Sequence, residues 1–241
     1  MQLKISHKLS SELTLPIGYH HVLQSIIYNN MRGQDNYSNF IHNEGYTYQE
    51  RQFRMFTFSL LEGKYNISDG KISFRDEVSF EVRSPDHKLI RIIKDNIENR
   101  GIQYPDRIIK ETNLSLLDYQ IDKNHILIKM GSPLSVYSTD ESTKQTHFYT
   151  PEDSQFASMV NDNFKRKYSA YTGIMPSSDV IIKPVKVSPK DKYVTKYKGF
   201  YLSGWKGQYE LTGEKKYLDF LYQTGIGAKN AQGFGLFYEV R

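Results

Sequence analysis

Lys215-Lys-Tyr-Leu-Asp-Phe-Leu-Tyr-Gln-Thr-Gly225-Ile-Gly-Ala-Lys-Asn-Ala-Gln-Gly-Phe-Gly235-Leu-Phe-Tyr-Glu-Val240 is the stretch from which the rest of the chain is best read. It divides into a helix-like segment, Lys215 to Thr224, a glycine loop, Gly225 to Gly235, and an apolar run, Leu236 to Val240. Four of the 16 glycines fall in that loop as Gly-x-Gly, five residues, Gly-x-Gly. Glycine lacks a Cβ, so such a loop reaches φ > 0 and can bring backbone N–H groups close to a phosphate. A dinucleotide fingerprint needs a strand before the loop, a helix after it and an acid about 20 residues on. Only six residues follow Gly235. A Walker loop needs Gly-Lys-Ser/Thr, which is absent, and a plain tight turn does not need four glycines.

Outward from this unit, the hydrophobic periodicity predicts a regular order of elements. Met1 to Leu9 alternates as a strand, broken at Leu15-Pro16. His20 to Met31 is helical, with Val22, Leu23, Ile26, Ile27 and Met31 on one side and Tyr28 roughly 150° from that stripe. A short helix is expected from Asn36 to Glu44, with Asp35 as N-cap and Gly45 as C′ residue. Strands follow at Phe53 to Leu61 and Lys71 to Arg83. Next come a helix from Pro85 to Arg100 ended by Gly101 and an extended stretch from Ile108 to Leu117. Strand, helix, strand, strand, helix, strand is the ferredoxin-like pattern. It then restarts: a strand from Tyr119 to Met130, a polar loop from Ser138 to Thr146, and a helix from Glu152 to Tyr168. Strand-like runs at Val180 to Val187, Tyr193 to Ser203 and Gly207 to Leu211 lead to the closing helix–loop–strand unit. The expected fold is α+β, with two tandem ferredoxin-like domains, 1–118 and 119–241, and the glycine-rich loop 225–235 at the end.

Composition narrows the chemistry. The chain has 241 residues and no cysteine. Disulfides, cysteine–zinc sites and thiol catalysis are therefore excluded. No run of about 18 apolar residues is present, so no membrane partner is expected and a cytoplasmic location is the default. Net charge is +5, but Lys183 to Lys206 alone holds seven lysines against Asp191, a local balance of +6. Tyr193, Tyr197, Phe200, Tyr201 and Trp205 lie among those lysines. Cations interleaved with aromatics suit a phosphate backbone whose bases stack, although a solvated strand pair carries the same residues.

No metal motif and no serine-triad signature is found, so chemistry, if present, is expected to be metal-independent acid–base work without a cofactor. His42, in Ile41-His42-Asn43-Glu44-Gly45-Tyr46, is the best general acid or base. It falls in the last turn of the short helix, where the helix dipole favours an imidazolium. A partly exposed helix-end histidine of no special role is the plainer reading.

The motifs together resemble one family. Leu15-Pro16-Ile17-Gly18-Tyr19 and Leu23-Gln24-Ser25-Ile26-Ile27-Tyr28 are similar to the first-helix signature of the Cas-six family, CRISPR-associated endoribonucleases of the RAMP superfamily. Ile41-His42-x-x-Gly45-Tyr46 with Phe53 to Ser59 resembles its next block. Ser132-Pro133-Leu134 and Phe164-Lys165-Arg166-Lys167-Tyr168 resemble its middle, and the glycine loop is its most specific mark. The blocks run the length of the chain in the right order.

The resemblance implies RRM-like tandem domains that cut precursor CRISPR RNA within its repeats, in antiviral defence. It places the family's tyrosine and histidine at Tyr28 and His42. The lysine that many members carry shortly after the histidine is missing, since none occurs between His42 and Lys64; Arg51 or Arg54 would supply the cation, with Arg51 preferred and His21 in reserve. It further implies 2′-hydroxyl attack without a metal, giving 2′,3′-cyclic phosphate and 5′-hydroxyl ends. Expected RNA contacts are Gly225, Gly227, Lys229, Asn230, Gly233 and Gly235, with Lys165, Arg166, Lys196, Lys198 and Lys206 behind them. The alternative is a non-catalytic subunit that holds repeat RNA. A CRISPR effector complex and a second copy of the chain are the further partners that this resemblance leaves open.

Overall fold

A computed structural model of the chain describes residues 1–32, 35–197 and 199–240. The first sheet is built on β1 (Gln2–Lys8), β2 (Leu13–Pro16), β5 (Thr57–Phe58), β6 (Glu62–Ser68), β7 (Lys71–Arg83) and β10 (Asn113–Leu117), all antiparallel to their partners. Between them come α1 (His20–Asn29), α2 (Asp35–Asn39) with a π-helical turn over Phe40–Glu44, and the hairpin β3–β4 (Tyr46–Tyr48, Arg51–Phe53). After β7 come α3 (His87–Arg100) and the small pair β8–β9 (Ile102–Gln103, Ile108–Ile109).

The second sheet joins β11 (His125–Met130), β14 (Ile181–Lys186), β17 (Gln208–Thr212) and β18 (Phe237–Glu239). Its order is β14-β17-β11-β18. Counting only those four strands, that is second, third, first, fourth, the ferredoxin-like arrangement. α4 (Phe156–Thr172) and α5 (Lys215–Thr224) provide the two helices, while the hairpins β12–β13 (Tyr137–Thr139, Thr146–Phe148) and β15–β16 (Lys192–Tyr197, Phe200–Trp205) stand apart. The first sheet repeats the order, β10-β1-β7 and then β2 or β6. The protein is thus α+β with tandem ferredoxin-like units. None of its helices, among the described residues, is long and apolar enough to cross a membrane.

Periodicity explains why the elements form where they do. Leu3 and Ile5 of β1 and Phe80 and Val82 of β7 point inward at every second residue, onto Leu23, Ile26 and Ile27 of α1 and Leu89, Ile90, Ile93 and Ile97 of α3. α3 starts two residues later than the sequence suggested. The Asp86 carboxylate accepts the Lys88 and Leu89 amides at 3.0 and 3.4 Å and so fixes the N-cap.

Several expectations are corrected. Pro16 does not break the first strand; it ends β2, an edge strand, where a missing N–H costs no ladder bond. The strand expected from Phe53 to Leu61 reduces to Thr57–Phe58, because Met55 takes φ 48° and the chain turns there. Tyr119 to Asn124 is not extended sheet, and β11 begins at His125. β6 was not expected at all. Its side chains are exposed throughout, which erases the alternation, yet the Asp69-Gly70 turn (φ 49° and 71°) is a strong hairpin signal. The expected N-cap rests on the Asp35 side chain, which lies outside the described residues.

The two halves are joined by a buried polar knot. Arg83, at the end of β7, donates to the Phe237 and Tyr222 carbonyls at 2.7 and 3.4 Å and pairs with Glu81. Its guanidinium lies 3.7 Å from the centre of the Tyr222 ring. Removing one member of such a knot strands the rest without water. Arg83→Ala is therefore expected to lower the unfolding free energy by about 3–5 kcal/mol, read by denaturant titration.

Candidate active site

α1 carries the site on one stripe. Its apolar residues Val22, Leu23, Ile26 and Ile27 face the core, leaving His20, Gln24 and Tyr28, spaced by four, along another side. His20 donates from Nδ1 to the Gln232 carbonyl at 2.9 Å and accepts from the Tyr193 hydroxyl at Nε2 at 3.0 Å. Burial holds its imidazole down at about 4, so the ring is neutral and that tautomer is fixed. Gln24 donates to the Ala231 carbonyl at 2.6 Å and accepts from the Tyr197 hydroxyl. One turn further on, Tyr28 meets His42 edge to face, ring centres 4.9 Å apart. The stripe therefore ties the glycine loop and the β15–β16 hairpin to the helix that bears Tyr28.

His42 sits in the π-helical turn rather than in a regular α-helix. Such turns displace a side chain from the α-helical register and are frequent at functional sites. The turn is held by two devices. Gly45 takes φ 65° and returns its amide to the Phe40 carbonyl at 2.6 Å. Arg54 donates to the Glu44 and Asn43 carbonyls at 3.1 and 3.2 Å. Asn43 orients the ring: its Nδ2 donates to Asn39 Oδ1, which leaves Asn43 Oδ1 to accept from His42 Nδ1 at 2.6 Å. Nε2 is then the end of the imidazole left for a substrate. Burial pushes the Tyr28 phenol above its ordinary value, and the Arg54 cation pulls it partly back.

Three cavities meet at this pair. One of about 520 Å³ is walled by Tyr28, His42, Arg51, Arg54, Arg166 and the loop face Gly227 to Gln232. A second, about 1210 Å³, runs between α1 and the β15–β16 hairpin past His21, Arg32, Lys196 and Tyr201. A third, about 470 Å³, opens beside Arg32, Asn39 and Asn43. Tyr28 and His42 line all three.

The expected contact residues separate accordingly. Lys229 and Asn230 line the first cavity with Gly227 and Arg166, and Lys229 rests over the Tyr137 ring at 4.5 Å. All four glycines of the motif are buried, and a Cβ at Gly227 would stand 2.4 Å from Leu134 Cδ1. A Cβ at Gly233 would stand 2.6 Å from the Phe58 ring, and one at Gly225 would stand 2.6 Å from Asn230 Nδ2. These glycines make room for protein atoms. Lys165 pairs with Asp179 at 2.5 Å, and Lys206 lies against Tyr193; neither lines the three cavities. Lys196 borders the second cavity, and Lys198 lies outside the described residues. His21 borders the second cavity as well, its Nδ1 donating to the Gly18 carbonyl. The sequence reading places Gln24 near Tyr28 and Lys167 in a basic run but assigns no site role to either or to His20. The i, i+4, i+8 spacing of His20 and Gln24 with Tyr28 is the signal that would have found those two.

Comparison with known proteins bears on this arrangement. The family model "CRISPR associated protein Cas6, C-terminal" matches residues 116–238, half of the chain. The chain belongs to the Cas6 family. It is 23% identical to CRISPR-associated endoribonuclease Cas6 1 of Methanocaldococcus jannaschii, over all of this chain and 93% of that protein. Its fold is similar to that of a Cas6-related protein from Pyrococcus furiosus, with TM-score 0.83 and 21% identity over 100% and 98% of the two chains. A RAMP protein described as binding different RNA substrates superposes with TM-score 0.82 and 19% identity over both full lengths. Within the Cas6 fold of this chain, the cavity walls come from α1, the π-helical turn, β4, α4 and the glycine loop.

The neutral His20 has a pH signature. Its folded value of about 4 lies below the ordinary 6.5, so between those values the unfolded chain binds the extra proton. Its contribution is complete above pH 6.5 and is lost as pH falls towards 4. His20→Gln is expected to flatten the fall in unfolding free energy across that window by up to about 1.4 kcal/mol per pH unit, measured by denaturant titration at several pH values.

Proposed function

We propose that this protein is an endoribonuclease that cuts precursor CRISPR RNA within its repeats, using Tyr28 and His42, without a metal ion. The observation that carries the reading is the packed Tyr28–His42 pair at the meeting point of three cavities, one walled by arginines and the glycine loop. A cleft of this kind lets a single strand pass the pair on both sides. The family membership and the curated endoribonuclease to which the chain is similar support the substrate class.

The chemistry needs only groups already present in the RNA and the cleft. A ribose 2′-oxygen attacks the adjacent phosphorus, the 2′-O–P bond forms and the P–O5′ bond breaks. One proton leaves the 2′-hydroxyl and one reaches O5′, giving a 2′,3′-cyclic phosphate and a 5′-hydroxyl. A phenol raised by burial keeps its proton at neutral pH and is a poor base. We therefore assign Tyr28 as donor to the departing O5′, or to the phosphate oxygen beside it. His42, with Nδ1 committed to Asn43, takes the 2′ proton at Nε2. Arg54, whose charge reaches Tyr28 and whose guanidinium clamps the His42 turn, takes the cationic role ahead of Arg51 and stabilises the crowded anionic phosphate. Arg51 then binds backbone further along the same cavity wall. The division into units 1–118 and 119–241 and the handing of cut RNA to a CRISPR effector complex belong to this proposal. So do pairing of two copies and a cytoplasmic location.

The test is cleavage of the cognate repeat RNA in EDTA on a denaturing gel. Wild type is expected to give one discrete cut. His42→Ala and Tyr28→Phe are each expected to slow it by about 10²–10⁴-fold with RNA binding retained. RNA with a 2′-deoxy ribose at the cut is expected to bind and stay intact. Cleavage of that RNA would refute the 2′-hydroxyl mechanism, and binding with no cut by wild type would make the protein an RNA-holding subunit. Arg54→Ala is expected to cost more in rate than Arg51→Ala under single-turnover conditions.

A further inference from the structure

Lys167, on α4, is among the largest fully buried side chains, 2% exposed. A buried lysine ordinarily faces a carboxylate. Here the ammonium donates to two neutral oxygens, and both belong to the glycine loop. Nζ donates to the Gly225 carbonyl at the loop's start and to Asn230 Oδ1 at its apex, the latter at 2.9 Å. Asn230 in turn donates from Nδ2 to the Ile226 carbonyl at 3.2 Å and to the Phe234 carbonyl at 3.0 Å, one on each arm of the loop. The amide of Asn230 is thus an internal brace, and Lys167 fastens that brace to α4.

The glycines follow from the brace. A Cβ on Gly225 or on Gly235 would stand 2.6 Å from Asn230 Nδ2, and one on Gly235 would also collide with the Ile226 carbonyl. Both glycines take φ above +80° or at it, 84° and 80°. The first and last glycines of the motif therefore leave room for an inward-turned asparagine. A methionine at 167 would fill the same space without burying an amine, so packing alone does not call for lysine. Burial pushes the amine down, to about 7.

We propose that Lys167 is a positioning residue for RNA: through Gly225 and Asn230 it sets the place of the loop's cavity face, from which Lys229 meets the RNA backbone beside Tyr28 and His42. The inference rests on the RNA-binding reading above. The rest of the loop is secured to α1 by His20 and Gln24, so loss of Lys167 frees the apex while the loop's far arm stays docked.

The experiment separates binding from chemistry and from folding. Full-length wild type, Lys167→Met, Lys167→Ala and Asn230→Ala are compared using intact repeat RNA and the same RNA with a 2′-deoxy ribose at the cut. Lys167→Met and Asn230→Ala are each expected to raise Kd for the 2′-deoxy RNA about tenfold. The single-turnover rate of Lys167→Met at saturating protein is expected to stay within about threefold of wild type. The double variant Lys167→Met/Asn230→Ala is expected to be no worse than the single ones, because both cut one chain of contacts. Ethylammonium added to Lys167→Ala is expected to restore part of the lost affinity, a rescue that a general loss of stability would not give. An unchanged Kd in Lys167→Met, with wild type binding the RNA, would overturn this inference and leave the nuclease reading standing. Additive losses without rescue would reduce Lys167 to a packing role. Failure of wild type to bind repeat RNA at all would instead refute the reading on which the inference rests.

Discussion

The protein's architecture depends on burying a glycine loop between two structural units. Four glycines and one asparagine let eleven residues fold back on themselves with their polar groups turned inward. Both halves of the chain then reach in to hold the loop, α1 through His20 and Gln24 and α4 through Lys167. Buried backbone groups must find partners, and here the partners come from elements far apart in sequence. That requirement fixes how α1, and hence Tyr28, sits relative to the second sheet.

Seen this way, the loop is chiefly a wall. A glycine-rich segment invites the reading that its amides cradle a phosphate, as in nucleotide-binding loops. Several of its amides are instead spent on protein carbonyls: Ile226 on Gly235 within the loop, Ala228 on Ser135 and Gly235 on Pro133. Lys229, whose backbone takes φ 60°, is the cation this wall presents to the cleft. Opposite it, the π-helical turn provides His42, with Arg54 satisfying carbonyls that an irregular turn leaves unpaired. The same guanidinium lowers the phenol of Tyr28 that burial raises, so one residue serves geometry and electrostatics together.

The hairpin β15–β16 adds a further cavity wall. It docks on α1 through Tyr193 and Tyr197, whose hydroxyls meet His20 and Gln24, while Phe200 and Tyr201 near its turn stay exposed. The basic, aromatic composition of Lys183 to Lys206 therefore resolves into two populations. Tyr193 and Lys206 pack inward, and Lys196 and Tyr201 border the second cavity.

The sequence by itself determined the α+β class and the tandem order of strands and helices. It also yielded the apolar stripe of α1 and His42 as a helix-end acid–base candidate, while Tyr28 became a candidate through the family resemblance. The class, the order and the stripe are local, set by side-chain periods of 2 and 3.6 and by residues such as Gly101 that end an element on their own, whereas the Asp86 cap emerged only from the structure. What it hid were features without a local period. β6 is exposed on both faces, the β5 region turns at Met55, and Pro16 sits on an edge. The tertiary structure alone decided that Arg54 reaches the His42 turn, that Lys206 packs against Tyr193, and that Lys167 belongs inside the loop. Each depends on residues distant in sequence becoming neighbours. A charged side chain reads the same in a string of letters whether it faces water, an acid or a buried carbonyl.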